Sequence, residues 1–211
     1  VLPRVWGFTW VHLAMNFIYL VLLAWVPFYL HNDLGASMEV TSVLSTIPFA
    51  GMAAGSFSAG LVADFMLQRG VPTKSVRRII MAVATFTPAL AMVALTQMTT
   101  PVPAVACIVV ALTTLAVSSA GFHAYLQDIA PKLSGRIVGF TNTVGTLFGF
   151  FGTALTGFLH DATGSFHAVF LITGAVCASA WFAFYVATMS DAPLLANYGS
   201  MDSVDASTDE Q

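Results

Sequence analysis

Four groups of residues have the types and spacing to do chemistry. His12, Asn16 and Tyr19 recur at steps of four and three, so on a helix they share one face, which Leu23 continues. Such a face offers hydrogen-bond donors and acceptors to a passing polar solute or to a neighbouring helix. Asn142 and Thr146 form a second group. They lie in a seam of small and polar residues, Gly135, Gly139, Asn142, Thr146, Gly149, Thr153 and Thr156, whose 4-3-4-3-4-3 spacing keeps all seven on one helical face. Asp64 with Arg77 and Arg78 is the third group: a carboxylate and two guanidinium groups on either side of a short loop can close a charge-assisted clasp, and Gly60 would let the partner helix approach. The fourth is the run His123, Asp128, Pro131. With Tyr125 and Gln127, His123 stands where a gate could form. Asp128, Lys132 and Arg136 mark a charged turn, and Pro131, lacking an N–H, suits a break or a helix start.

These polar groups are embedded in a very apolar chain. Of 211 residues, 57% are hydrophobic and 8% charged, against about 25% charged in a soluble domain. Net charge is −3, mostly from Asp202, Asp205, Asp209 and Glu210 near the C-terminus, and no basic patch interleaved with aromatics points to nucleic acid. Cys107 and Cys177 both fall within apolar runs and read as buried thiols. Neither a disulfide framework nor a metal-ligand spacing is present, so no metal or cofactor is expected. Ser119 and His123 are one helical turn apart, as a catalytic dyad could be. However, Gly-x-Ser-x-Gly and His-Glu-x-x-His are both absent, so the chain is not expected to be an enzyme. Nor does it carry an Arg ladder, a selectivity-filter signature or paired Asn-Pro-Ala, as a channel would.

The elements that must position these groups are membrane helices. Six apolar stretches, roughly residues 5–30, 43–62, 79–98, 102–126, 137–159 and 168–189, approach or exceed the about 20 residues needed to cross the hydrocarbon core. They make residues 1–190 one all-α membrane domain. Pro27, Pro48 and Pro88 fall within or near span ends, where they kink helices. All seven Lys and Arg residues precede the first span or follow the second and fourth, so those turns and both termini are expected in the cytoplasm. Gly55, Gly60 and Asp64 close the second span, and Gly152, Gly157 and Asp161 close the fifth, each 97 positions later. That echo predicts two three-helix repeats of opposite orientation. Residues 191–211 are acidic and Ser-rich, and read as a disordered cytoplasmic tail. Within them, Asp191-x-x-Leu194-Leu195 and Tyr198-x-x-Met201 resemble endosomal sorting signals.

Asp128-Ile129-Ala130-Pro131, Gly135, and Asn142-Thr143-x-Gly145 resemble the anion–cation symporter family of the major facilitator superfamily, which includes sodium–phosphate, sialic acid, vesicular glutamate and plastid anion carriers. Gly60-x-x-Ala63-Asp64 followed by Arg77-Arg78 is similar to the loop between the eighth and ninth helices of such carriers, and Pro27 with the Tyr19 region to their seventh. The resemblance implies the C-terminal half of a twelve-helix carrier, with a small anion as substrate and Na⁺ or H⁺ as coupling cation. The alternative it leaves is a transporter-like receptor, or a carrier of a different, even neutral, substrate. Some family members have a basic residue near Met15 and Asn16; this chain does not.

An anion in hydrocarbon needs a positive partner. No Lys, Arg, Asp or Glu lies deep within any of the six stretches. The binding charge is therefore expected on an N-terminal half absent from this sequence, across a cavity from His12, Asn16, Asn142 and Thr146. The start at Val1, without Met or a signal-peptide pattern, reads as that of a fragment. The protein is expected to be a multi-pass membrane protein, of the plasma membrane or of an endolysosomal, vesicular or organelle membrane.

Overall fold

A computed structural model describes residues 2–190. The sorting-like segments and the acidic tail lie outside the described residues. Helix α1 runs Leu2–Phe28 and widens into a π-helical turn, Tyr29–Asp33. It is followed by α2, Met38–Gln68, and α3, Thr73–Leu95. Helix α4, Pro101–Ala116, leads through a second π-helical turn, Ser119–His123, into α5, Ala124–Ile129. Helices α6, Ser134–Thr163, and α7, His167–Ala187, complete the described chain. Among the described residues, six helical segments, with α4, its π turn and α5 counted as one, are long and apolar enough to cross a membrane.

Local chemistry sets several boundaries. The Ser37 side chain accepts from Val40 N at the start of α2, an N-cap. Pro101 occupies the first turn of α4, where its missing N–H costs nothing. Gly164, with φ of 68°, ends α6 in the left-handed conformation that residues with a Cβ avoid. Pro131 opens the turn between α5 and α6, and α6 begins three residues later.

Helix α1 packs against α6 and α7, α2 against α4, and α3 against α4 and α7. Exchanging α1, α2, α3 for α4, α6, α7 returns the same set of pairs: α1·α6 becomes α4·α2, α1·α7 becomes α4·α3, and α3·α7 maps onto itself. Two inverted three-helix repeats give this pattern. The echoed glycines sit at equivalent crossings. Gly55 lets α2 close on Thr113 of α4, and Gly152 lets α6 close on the Phe17 ring of α1.

The core runs along α1, with Phe8, Ile18, Leu22 and Leu30 fully buried, and meets Phe122, Leu126 and Phe184 from other helices. Apolar residues such as Phe57, Leu61, Leu147, Phe150 and Phe158 stand exposed on α2 and α6. A soluble protein would bury them; a membrane helix turns such side chains to lipid or to another transmembrane unit.

The two ends of the bundle differ in chemistry. At one end Arg4, Lys74 and Arg78 donate to the carbonyls of Ala187, Met189 and Thr188, at or just past the end of α7. Cations are favoured there by the helix dipole. At the other end Asp33 and His160 approach to 3.3 Å, joining the π turn after α1 to the last turn of α6, with Phe28 and Phe166 against the His160 ring.

Candidate functional site

The site is built where α6 presses on α1. Buried residues of α6 are Thr141, Gly145, Gly149, Gly152 and Thr156. A Cβ on Gly145 would lie 3.0 Å from the His12 carbonyl, and one on Gly149 would lie 3.1 Å from that of Asn16. Small side chains thus allow the two backbones to meet at the turn carrying His12 and Asn16. There His12 Nδ1 lies 2.9 Å from Thr141 Oγ1, and Asn16 Nδ2 donates to the His12 carbonyl at 3.1 Å. The Thr141 hydroxyl is also 3.1 Å from the Val138 carbonyl oxygen, and which of His12 Nδ1 and Thr141 Oγ1 donates depends on the imidazole tautomer.

His12, Asn16 and Tyr19 come together, as one face, on a cleft of about 170 Å³. Met15 lines it beside them, α2 contributes Met52, and the α4 segment contributes Leu115, Ala116 and Ser118. The cleft is mostly apolar with a few convergent polar groups, the composition of a small-molecule site. His123, on the π turn after α4, faces His12 with ring centroids 5.5 Å apart and planes at 89°. The Phe122 ring packs against both imidazoles. Single π turns recur at functional positions because they re-aim side chains without ending the helix. Ser119, considered above as a nucleophile, donates to the Ala116 carbonyl.

The face of α6 is corrected by the structure. Gly149 and Thr156 lie in the buried strip as expected, but Gly135 and Gly139 are exposed with nothing within 4 Å of a Cβ. Asn142 is exposed and Thr146 half-buried. They stand beside the packed strip, on its open side. Thr141, which bonds His12, was missed. The sequence signal for it was the small-residue run Thr141, Gly145, Gly149, which the adjacent seam overlaps.

The clasp differs too. Arg77 donates from Nε to Asp128 Oδ2 at 2.9 Å and from Nη1 to the Ala120 carbonyl at 2.8 Å. Arg78 instead turns to α7, donating to Thr188 Oγ1 at 2.9 Å, with its guanidinium 4.3 Å above the Tyr185 ring. Asp64 is exposed, and no ion pair among the described residues includes it. Gly60 meets open space; Gly55, a turn and a half earlier, makes the close approach. Arg77 chooses Asp128 because α3 packs directly on the segment carrying the π turn and α5. Asp64, at the far end of α2, belongs to a helix whose main partner is α4. Pro131 is exposed in the turn just beyond Asp128.

Residues 1–153 match the Major Facilitator Superfamily. The chain is 34% identical over 171 residues to sodium-dependent phosphate transport protein 1, chloroplastic, of Arabidopsis thaliana, covering 81% of this chain and 33% of that protein. It is 34% identical over 170 residues to probable anion transporter 4, chloroplastic, of Oryza sativa subsp. japonica, covering 81% and 29%. It is 32% identical over 174 residues to the ascorbate transporter, chloroplastic, of Arabidopsis thaliana, covering 82% and 32%. The chain thus spans about a third of the length of these relatives. The matched family and the relatives' names are those of transporters, not enzymes, and agree with the anion-carrier resemblance of Asp128-Ile129-Ala130-Pro131. With six helices able to span a bilayer, this chain is a multi-pass integral membrane protein and belongs to the major facilitator superfamily.

Proposed function

We propose that this chain is the C-terminal half of a secondary carrier for a small anion, phosphate or a compact organic carboxylate, working by alternating access against an N-terminal half. The cleft at His12, Asn16, Tyr19 and Ser118 carries this reading, because it places convergent polar groups partway along α1, beside a helix face whose apolar side chains lack cover. Carrier sites lie near the membrane midplane at such interfaces, and the two halves rock about them. His12, Asn16 and Tyr19 orient the anion, and Asn142 and Thr146 extend the polar strip beside it. The Arg77–Asp128 pair is the cytoplasmic lock of this half. A coupling cation, Na⁺ or H⁺, offsets the roughly 2.3 kcal/mol per charge that import against about 100 mV costs.

The decisive experiment compares radiolabelled phosphate uptake by proteoliposomes holding this chain alone and together with a co-expressed N-terminal half. Saturable uptake is expected only with both halves, because no Lys or Arg lies deep in the spans of this chain to pair the anion. Robust uptake by the chain alone as a monomer would overturn the half-carrier reading.

Orientation is tested separately. Ser75 lies in the end of the bundle that gathers Arg4, Lys74 and Arg78, whereas Thr99 and Ser165 line a common pocket with Asp33 at the other end. With Cys107 and Cys177 replaced, a cysteine at position 75 is expected to react with an impermeant thiol reagent from the cytoplasmic side only. Cysteines at 32, 100 and 165 should react only from the opposite side. Labelling of 75 and 100 from one side would sink the six-span topology. Position 203, expected in the cytoplasm, lies outside the described residues.

A further inference from the structure

We propose that the facing imidazoles of His12 and His123 take up one proton as a pair and make the anion transport proton-coupled. The inference rests on the carrier reading and names its coupling ion and where that ion sits.

Deep in the spans no Lys, Arg, Asp or Glu is available. His12 and His123 are the side chains at the cleft that can become positive, and one of them lines it directly. Their rings meet edge to face, close enough for a charge on one to act on the other. Thr141 engages His12 at Nδ1. Among the described residues His123 makes ring contacts with His12 and Phe122 and no hydrogen bond, so its ring is not committed to another acceptor. With centroids 5.5 Å apart, two imidazolium ions would repel strongly in surroundings as apolar as Phe8, Phe122 and Met15. The second proton is therefore taken up only at a pH below that of the first.

The surrounding elements leave this charge uncompensated until an anion arrives. Helix α3 brings Arg77 to the π turn, and Arg77 and Asp128 neutralise each other. Helix α1 adds Tyr19, and the α4–α5 segment adds Tyr125, which packs on Phe8 and Phe184; neither brings a carboxylate. Helix α6 adds Thr141, and α2 adds Met52. A monoanion bound beside the protonated pair gives a neutral complex, which crosses without working against the membrane potential. On the far side the proton leaves to water as the anion departs, restoring two neutral rings. The pair bridges α1 and the π turn of the α4 segment, which occupy corresponding places in the two repeats, so a shift of one repeat against the other changes the ring-to-ring distance and with it the hold on the proton.

The test uses the full-length carrier in lipid bilayers. Histidine ¹⁵N spectra, assigned with His12→Gln and His123→Gln, follow each ring against pH. Two shared steps separated by about one pH unit or more are expected, with the surviving ring titrating in a single step in each variant. In proteoliposomes, an inward proton gradient should drive phosphate accumulation with matching internal acidification. His123→Gln should lose gradient-driven accumulation by about fivefold or more while phosphate–phosphate exchange continues. Independent single midpoints in the wild type, or undiminished gradient-driven accumulation in His123→Gln, would overturn the proton site and leave the carrier reading standing. A wild type that shows the shared titration but moves no phosphate under any gradient would instead overturn the phosphate reading and leave the proton site in place. The spectra of the unaltered protein decide the question even where a variant fails to fold.

Discussion

Gly55→Ala is expected to lower the stability of the helical bundle by about 3 kcal/mol, the upper end of what overpacking costs. A Cβ at Gly55 would overlap the carbonyl oxygen of Thr113 and lie 3.0 Å from its carbonyl carbon. The obstacle is backbone, so no rotamer change relieves it, and α2 must move off α4 along its main contact. Gly60→Ala, five residues on in the same helix, is the control. Nothing lies within 4 Å of a Cβ there, so the added methyl should be neutral or stabilise the chain by about 0.4–1 kcal/mol through the entropy of the unfolded chain. Thermal unfolding of the purified chain in detergent, read by the loss of its monodisperse peak on size-exclusion chromatography, compares the two. Equal midpoints for Gly55→Ala and the parent would remove the close crossing of α2 and α4. Repeating Gly60→Ala with the proposed N-terminal half co-expressed adds a second reading. A loss seen only there would mean that Gly60 faces that half.

The same pair of glycines shows what was legible in the sequence. Apolar run lengths were enough for six helices and their order, because spanning a bilayer imposes length and hydrophobicity locally. The face of α1 bearing His12, Asn16 and Tyr19 was legible because three polar groups in an apolar helix share one direction whatever the neighbours are. Helix α6 was harder. Its small residues form two overlapping strips, one through Thr141 and one through Asn142, that share Gly149 and Thr156. Periodicity gives both, but only the position of α1 decides which is buried. Likewise Asp64 was the nearest carboxylate in sequence to Arg77, whereas the partner it found, Asp128, is 51 residues away. Choosing between them needs the knowledge that α3 packs on the π turn. That turn was itself invisible, because five residues of wider helix leave no mark on composition.

Arg77→Ala is expected to cost the protein both stability and its control of opening. The Arg77 side chain is 11% exposed and makes two charge-assisted or buried contacts, to Asp128 and to the Ala120 carbonyl. Removing it leaves the Asp128 carboxylate without its cation, but that side chain is 35% exposed and can hydrate. The loss is therefore put at about 2–3 kcal/mol, below the range for a fully buried pair. Asp128→Asn keeps a hydrogen-bond acceptor for Nε and should cost less, about 1 kcal/mol. If the two groups act as one unit, the double variant should be no worse than Arg77→Ala alone, with a coupling of about 1–2 kcal/mol in the cycle. Asp64→Asn, in contrast, should leave stability within about 0.5 kcal/mol of the parent, as surface changes do. The link also fixes α3 to the segment that carries His123, since Arg77 holds Ala120 within the same π turn. Breaking it should therefore expose the C-terminal end of the α4–α5 segment. This is read as a faster reaction of a cysteine at Ala130, buried in the intact protein, with an impermeant thiol reagent, measured on the folded fraction alone. Strictly additive losses, with unchanged labelling at position 130, would show that Arg77 and Asp128 act independently and that the link locks nothing.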